Sequence, residues 1–413
     1  MIKVQPFKAL RPDPSYVEKC AALPYDVMSS DEARELVKGN PYSFIHIDKA
    51  EVDLDPSIEI YDDRVYKKAK ENLICFENNG VYINDTEPHY YVYRLIMDGR
   101  DQSGIVCCAS IDDYINGKIK KHELTRVDKE IDRIKHVETC SAHSGPIFLT
   151  YKESAELDSL IDRIKSNDPL YDFITDDKIR HTIWRCDDSC TSDNITESFS
   201  KLDALYIADG HHRAASAVKV GIKKREQNPS YTGNEEFNYF LSVVFPSKSL
   251  KIFDYNRLIK DTNGYSVNEL LNKISNELGH ITKLSNGERR PKSKNNVTLY
   301  LDNCWYNIEF FKEICNSDII QDRLDCSILQ NYFLSPIMNI NDPRTDKRID
   351  FVGGIRGIDY LEKRCREDMK MAIVMYPTSI EELINIADIG GIMPPKSTWF
   401  EPKLRSGILI HKF

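Results

Sequence analysis

The stretch that most constrains this chain is the apolar run Ala204-Leu205-Tyr206-Ile207-Ala208 and the polar turn that follows it, Asp209-Gly210-His211-His212-Arg213. An unbroken apolar pentapeptide reads as a short buried strand. Asp-Gly turns the chain. The small helix formers from Ala214 to Val220 then predict a helix, with Gly221 as its C-cap. Strand, tight turn and helix in that order put His211, His212 and Arg213 on a first helical turn. Backbone amides there lack intrahelical partners, and the helix dipole favours an anion. The plainer reading makes Asp209 an N-cap and the histidines ordinary surface, but it leaves the His-His-Arg run unexplained.

Composition narrows the compartment and the partners. The 413 residues are 41% hydrophobic and 29% charged, a globular balance with room for two or three domains. A net charge of −9 argues against a broad nucleic-acid-binding surface while leaving a local basic pocket open. No apolar run reaches membrane-spanning length, and Met1 to Pro6 carries no signal-peptide core. A cytoplasmic protein with no membrane or nucleic-acid partner is expected. The 11 cysteines show no zinc spacing: Cys186 and Cys190 lack a second pair, and Cys107-Cys108 reads as strand core.

Along the chain, Tyr42 to Ile47 reads as a strand and Tyr61 to Glu77 as a helix. His89 to Met97 pairs across a turn at Asp98-Gly99 with Ile105 to Ile111. Pro146 to Tyr151 and Phe240 to Phe245 are further strands, Ala155 to Lys165 is a helix, and Glu226 to Asn238 is a polar loop. Later segments predict a strand over Leu250 to Leu258, a helix over 265–278, a basic hairpin tip at Gly287 to Lys294 and strand pairs over Thr298 to Phe310. The pattern predicts an α+β fold of mixed, largely antiparallel sheets with flanking helices, divided into residues 1–245 and 246–413.

Two further polar clusters stand out. His122, Glu123, Thr125, Arg126 and Arg133 are side chains of catalytic type, although charge runs also form solvated helix faces. They are not a zincin, since the second histidine is missing. Gly391 to Thr398 includes Lys396, Ser397 and Thr398. Pro394 and Pro395 lack the amides of a phosphate cradle, so a Walker loop is rejected. Two readings remain, a rigid loop offering Lys396, Ser397 and Thr398 to an anion, and an ordinary surface loop.

Taken in order, Arg11-Pro12, Pro24-Tyr25-Asp26-Val27, Asn40-Pro41-Tyr42-Ser43-Phe44, His122-Glu123-Leu124-Thr125, Asp132-Arg133, Asp209 to Arg213 and Met393 to Thr398 resemble the domain-of-unknown-function 1015 family, nearly end to end. One departure is Asn256, where the family pattern has a histidine. The Asp-Gly-His-His-Arg turn resembles the phosphate-handling turn of the ParB/sulfiredoxin-like fold, and the version found in free serine kinases in particular. His211 stands where sulfiredoxins carry their cysteine, so sulfinic-acid repair is not expected.

The resemblance implies a ParB/sulfiredoxin-like core and a small-molecule kinase that phosphorylates free L-serine from ATP or ADP with Mg2+. Phosphoryl transfer needs positioning and charge neutralisation above all. Gly210, His211, His212 and Arg213 would hold phosphate, with Lys396, Ser397 and Thr398 closing on it from the second domain, and Asp209 would hold Mg2+. Glu123 is the expected base for the acceptor hydroxyl. Tyr25, Asp26, His122, Thr125, Arg126 and Arg133 are expected at the substrate, and a homodimer is compatible with the sequence. The rival expectations are a ParB-like nucleotide-dependent binding protein and a phosphatase or nuclease using the same anion site.

Overall fold

The computed structural model describes every residue except Asn286. The chain divides into two units. Met1–Lys121, Thr125–Leu250 and Pro402–Phe413 form the first, and His122–Leu124 with Lys251–Glu401 the second. Both are built of strands and helices, and the class is α+β with mixed, largely antiparallel sheets. Among the described residues no helix is long and apolar enough to cross a membrane.

The first unit is organised on a nine-stranded sheet. Its middle is Arg100–Ser110, nearly all buried, flanked by Tyr91–Met97 and Tyr239–Pro246. The hairpin between Tyr91–Met97 and Arg100–Ser110 turns at Asp98 and Gly99, with φ of 51° and 76°, which suits the twist of paired strands. Ile147–Tyr151 runs parallel to Tyr239–Pro246 and antiparallel to Leu205–Asp209, the strand expected before the polar turn. A second sheet of short strands joins Ala9–Pro12, Tyr82–Asn84, Ala142–His143 and Ile410–Lys412.

Several local expectations change. The helix His211–Gln227 passes through Gly221. That glycine is a packing position, because a Cβ there would lie 2.5 Å from Phe237 O and 2.7 Å from Ile111 Cδ1. Tyr42 to Ile47 is not a strand but leads into the helical turn Ile45–Asp48. The Ser43 hydroxyl accepts the Ile45 amide at 3.3 Å, and the helical spacing buries Phe44, Ile45 and Ile47 together. Leu250 to Leu258 is interrupted at Asp254, so that Ile252–Phe253 pairs with Trp399–Phe400 while Tyr255–Ile259 enters another sheet.

The second unit centres on a six-stranded antiparallel sheet. Its order is Gly279–Lys283, Cys304–Phe310, Asn296–Leu301, Met371–Val374, Tyr255–Ile259 and Ile349–Gly353. The basic segment Gly287 to Lys294 is therefore not a hairpin tip. The strands on either side of it both pair with Cys304–Phe310, which lies between them. Val267–Glu277 and Ile380–Asp388 carry complete capping boxes at Ser266 and Ser379.

Candidate functional site

The polar turn of the first unit has the strand–turn–helix form. The ladder to Ile147–Tyr151 is irregular between Ile207 and Asp209, a bulge of the kind that re-aims a side chain. Gly210 takes φ 90° and ψ 31°, a left-handed conformation that glycine adopts without strain. Asp209 is not an N-cap: the cap position is Gly210, with no side-chain cap bond. Instead its Oδ1 accepts the Gly210 amide at 2.8 Å, and its Oδ2 accepts Lys403 Nζ at 2.7 Å. Burial pushes the Asp209 carboxyl up, but Lys403, Arg213 and the amide outweigh it and hold the group well below the usual carboxylate range.

Arg213 folds back over the turn. Its Nη1 donates to Pro146 O at 2.5 Å. A Cβ on Gly210 would lie 3.1 Å from Nε and 3.2 Å from Cζ and Nη2, so the glycine gives the guanidinium its place. Nε is buried without a hydrogen-bond partner among the described residues. Three elements thus converge on one cationic corner: the strand end, the helix start and the segment carrying Lys403.

Arg213 also lines a narrow cavity of about 20 Å³ with Tyr25, Asp48, Arg133, His136, His143 and Ser144. That is room for one water or one hydroxyl group. Arg133 and His136 come from the helix Val127–Cys140. The Arg133 guanidinium lies 3.9 Å from the Tyr25 ring centroid and its Nε is 2.9 Å from Asp132 Oδ2. Burial opposes its charge, but Asp132 and Tyr25 outweigh it and raise its pKa. Burial raises the Tyr25 phenol as well. Ser144 Oγ donates to Asp48 Oδ1 at 2.7 Å, and His136 Nε2 sits 3.0 Å from Ile47 O.

Other residues singled out from sequence are placed differently. Asp26 is exposed beside buried Tyr25. Thr125 Oγ1 donates to Glu130 Oε2 at 2.8 Å, and Glu130 also pairs with Lys219. Arg126 is exposed and chelated by Asp128, while its amide donates to His212 Nε2 at 3.0 Å. His211 is buried at the helix start. His122, Glu123, Lys396, Ser397 and Thr398 belong to the second unit. There the Met393 amide donates to His122 O at 2.8 Å, Ser397 Oγ donates to Pro394 O at 2.6 Å, and Lys396 lies 5.6 Å from the Tyr255 ring centroid.

Asp209 does not fit a directly bound Mg2+. Both its oxygens already accept N–H donors, one from a lysine, and its neighbours are cations, whereas Mg2+ sites are built from carboxylates, phosphates and water. Asp48, His143 and Ser144 were not anticipated from sequence. His136 and Lys403 stood in polar stretches beside Asp132-Arg133 and the Lys-Ser-Thr loop but carried no assigned role, and the partner of Lys403 is 194 residues away.

The family model for a protein of unknown function, DUF1015, matches residues 4–327, so the chain belongs to that family. No curated protein matches it. Among solved structures, free serine kinase in complex with AMP is 13% identical, with 77% of this chain and 92% of that one covered and a TM-score of 0.36. SbnI with C-terminal truncation from Staphylococcus aureus is 10% identical, covering 73% and 85%, with a TM-score of 0.40. A conserved hypothetical protein from Pyrococcus furiosus is 15% identical, covering 74% and 94%, with a TM-score of 0.36.

Proposed function

We propose that the protein is a nucleotide-dependent phosphotransferase acting on a small hydroxyl compound, free L-serine first, with ATP or ADP as donor. The observation that carries this reading is the cationic corner at Gly210. A guanidinium is folded over a left-handed glycine at the start of a long helix, with Lys403 and Asp209 fixing the turn from the other side. Such a corner suits the dispersed negative charge of a transferring phosphoryl group, which asks for fixed donors and cations more than for covalent chemistry.

In this reading Arg213 offers its planar fork to phosphate oxygens, and the first helical turn adds backbone amides and the histidines His211 and His212. Asp209 acts on the turn and not on the phosphate: it keeps Lys403 and the Gly210 amide in place. Arg133 and Tyr25, on the wall of the adjoining cavity, meet the polar end of the acceptor. Mg2+ enters as part of the nucleotide substrate.

The test is incubation of the purified protein with MgATP or MgADP and a panel of amino acids and small alcohols, read by mass spectrometry. O-phosphoserine is the expected product, and Arg213→Ala is expected to lower kcat/KM at least about 100-fold. No phosphorylated product from any hydroxyl compound overturns the reading. Release of inorganic phosphate alone would point to hydrolysis instead.

A further inference from the structure

The register of the small sheet sets His143 directly opposite His411. Their Nδ1 atoms are 3.1 Å apart, and His411 Nε2 lies 2.8 Å from Glu236 Oε2. The two rings are 6% and 1% exposed, while the Glu236 side chain is 46% exposed. With both rings neutral in the resting protein, this chain of contacts sets where the protons sit. A carboxylate only accepts, so His411 carries its proton on Nε2. Its Nδ1 then accepts, so His143 donates from Nδ1 and keeps a lone pair on Nε2. That nitrogen is buried, has no hydrogen-bond partner among the described residues, and belongs to a residue lining the cavity shared with Arg213.

A buried imidazole nitrogen left unsatisfied is costly unless something uses it. Among the acceptors on the cavity wall, Asp48 is engaged with Ser144, and His136 faces Ile47 O; Arg133 is held by Asp132 and Tyr25, and Arg213, whose Nε is also unpartnered, can only donate. We propose that Glu236, His411 and His143 form a proton relay, with His143 Nε2 the general base that takes the hydroxyl proton of the phosphoryl acceptor. The identity of that acceptor rests on the reading given above, and the relay supplies the proton acceptor that residue type alone had assigned to Glu123.

The step balances as follows. The acceptor oxygen bonds to the transferred phosphorus, the bridging P–O bond breaks, and its electron pair leaves with the nucleotide. The hydroxyl proton passes to His143 Nε2, and the Nδ1 proton of His143 passes to His411 Nδ1. The positive charge then rests on His411 against the Glu236 carboxylate. Two rings are needed because the groups facing His143 include Arg133 and Arg213 as well as Asp48, His136, Tyr25 and His411. A charge left on His143 would meet two guanidiniums, and one ring further on it meets a carboxylate. Burial and His411 hold His143 far below the ordinary histidine range, so the ring is neutral at neutral pH and hands a proton on instead of keeping it.

The experiment uses the full chain labelled with 15N-histidine. Imidazole nitrogen resonances should show His143 protonated on Nδ1 and bare on Nε2, and His411 protonated on Nε2. In kinetics, His143→Gln should lower kcat about 100-fold or more with the nucleotide KM changed less than about twofold. Glu236→Gln should lower kcat about tenfold and move the acid limb of the rate profile to lower pH, because the protonated relay loses its counter-charge. A merely structural role for Glu236 would not move that limb. A proton on His143 Nε2 overturns the relay whatever the activity. The expected tautomers with undiminished kcat in His143→Gln, or activity lost in Glu123→Gln alone, overturn the catalytic role and leave the kinase reading intact. Correct tautomers in a protein that phosphorylates no hydroxyl compound overturn the kinase reading and this role with it.

Discussion

Lys403 Nζ lies 2.7 Å from Asp209 Oδ2, joining residues 194 apart in sequence. Their side chains are 10% and 28% exposed, so each depends on the other to be tolerated where it is. The turn that carries the family motif is therefore held partly by a residue outside the motif.

Lys403→Met should destabilise the protein by about 2 kcal/mol at pH 7, measured by urea unfolding, because a half-buried carboxylate loses its main partner. The pH dependence follows from the lowered Asp209 pKa. The pair's contribution is full above the unfolded carboxylate value and is lost as pH falls through the lower folded one. The gap between wild type and variant should be constant near neutrality and close only below about pH 4.

Gly210→Ala should cost about 1–2 kcal/mol, since the residue stands at φ 90°. It should also displace the Arg213 guanidinium, whose atoms would lie 3.1–3.2 Å from the new Cβ. Calorimetric titration with MgADP, if the phosphate reading holds, should show at least about tenfold weaker binding.

Gly221→Ala offers a case where helix propensity and packing disagree. Alanine favours the helix by about 1 kcal/mol, but its Cβ would sit 2.5 Å from Phe237 O. The clash should win by about 1–3 kcal/mol, seen as a lower Tm. A rise in Tm would mean that the short helical turn Glu236–Asn238, which carries the Phe237 carbonyl, gives way freely.

Asp325, 7% exposed in the second unit, has its carboxyl pushed up to about 7 by burial, with the Asn295 amide opposing. Between the unfolded carboxylate value and 7 the folded state binds the extra proton, so stability falls as pH rises through that window. Asp325→Asn should remove the slope, matching wild type near pH 4 and exceeding it at pH 8 by about 4 kcal/mol. Parallel slopes in the two proteins would contradict this.

The sequence carried the local features well. The apolar run before Asp209, the amphipathic spacing of Asp63–Asn78 and the hairpin at Asp98-Gly99 are written in neighbouring residues, and all three elements are present. Tyr42 to Ile47 misled because its apolar residues suit a strand, while the Ser43 hydroxyl starts a helical turn instead. Gly221 misled because a glycine at a helix crossing point looks like a stop signal. The site's other partners were illegible for a plainer reason: His143 and His411 are 268 residues apart, and each is a lone histidine in its own stretch.

One consequence concerns the order of events during synthesis. Pro402–Phe413 belongs with the first unit, although the whole of Lys251–Glu401 is translated before it. A nascent chain that has displayed the motif and finished its long sheet still lacks Lys403 and His411. Asp209 stands without its lysine, and His143 without its neighbouring ring, until the chain has been made through His411. The turn at Gly210 is thus completed by a segment that follows the whole of Lys251–Glu401 in the chain, so a chain cut before Lys403 would carry the motif without its lysine partner.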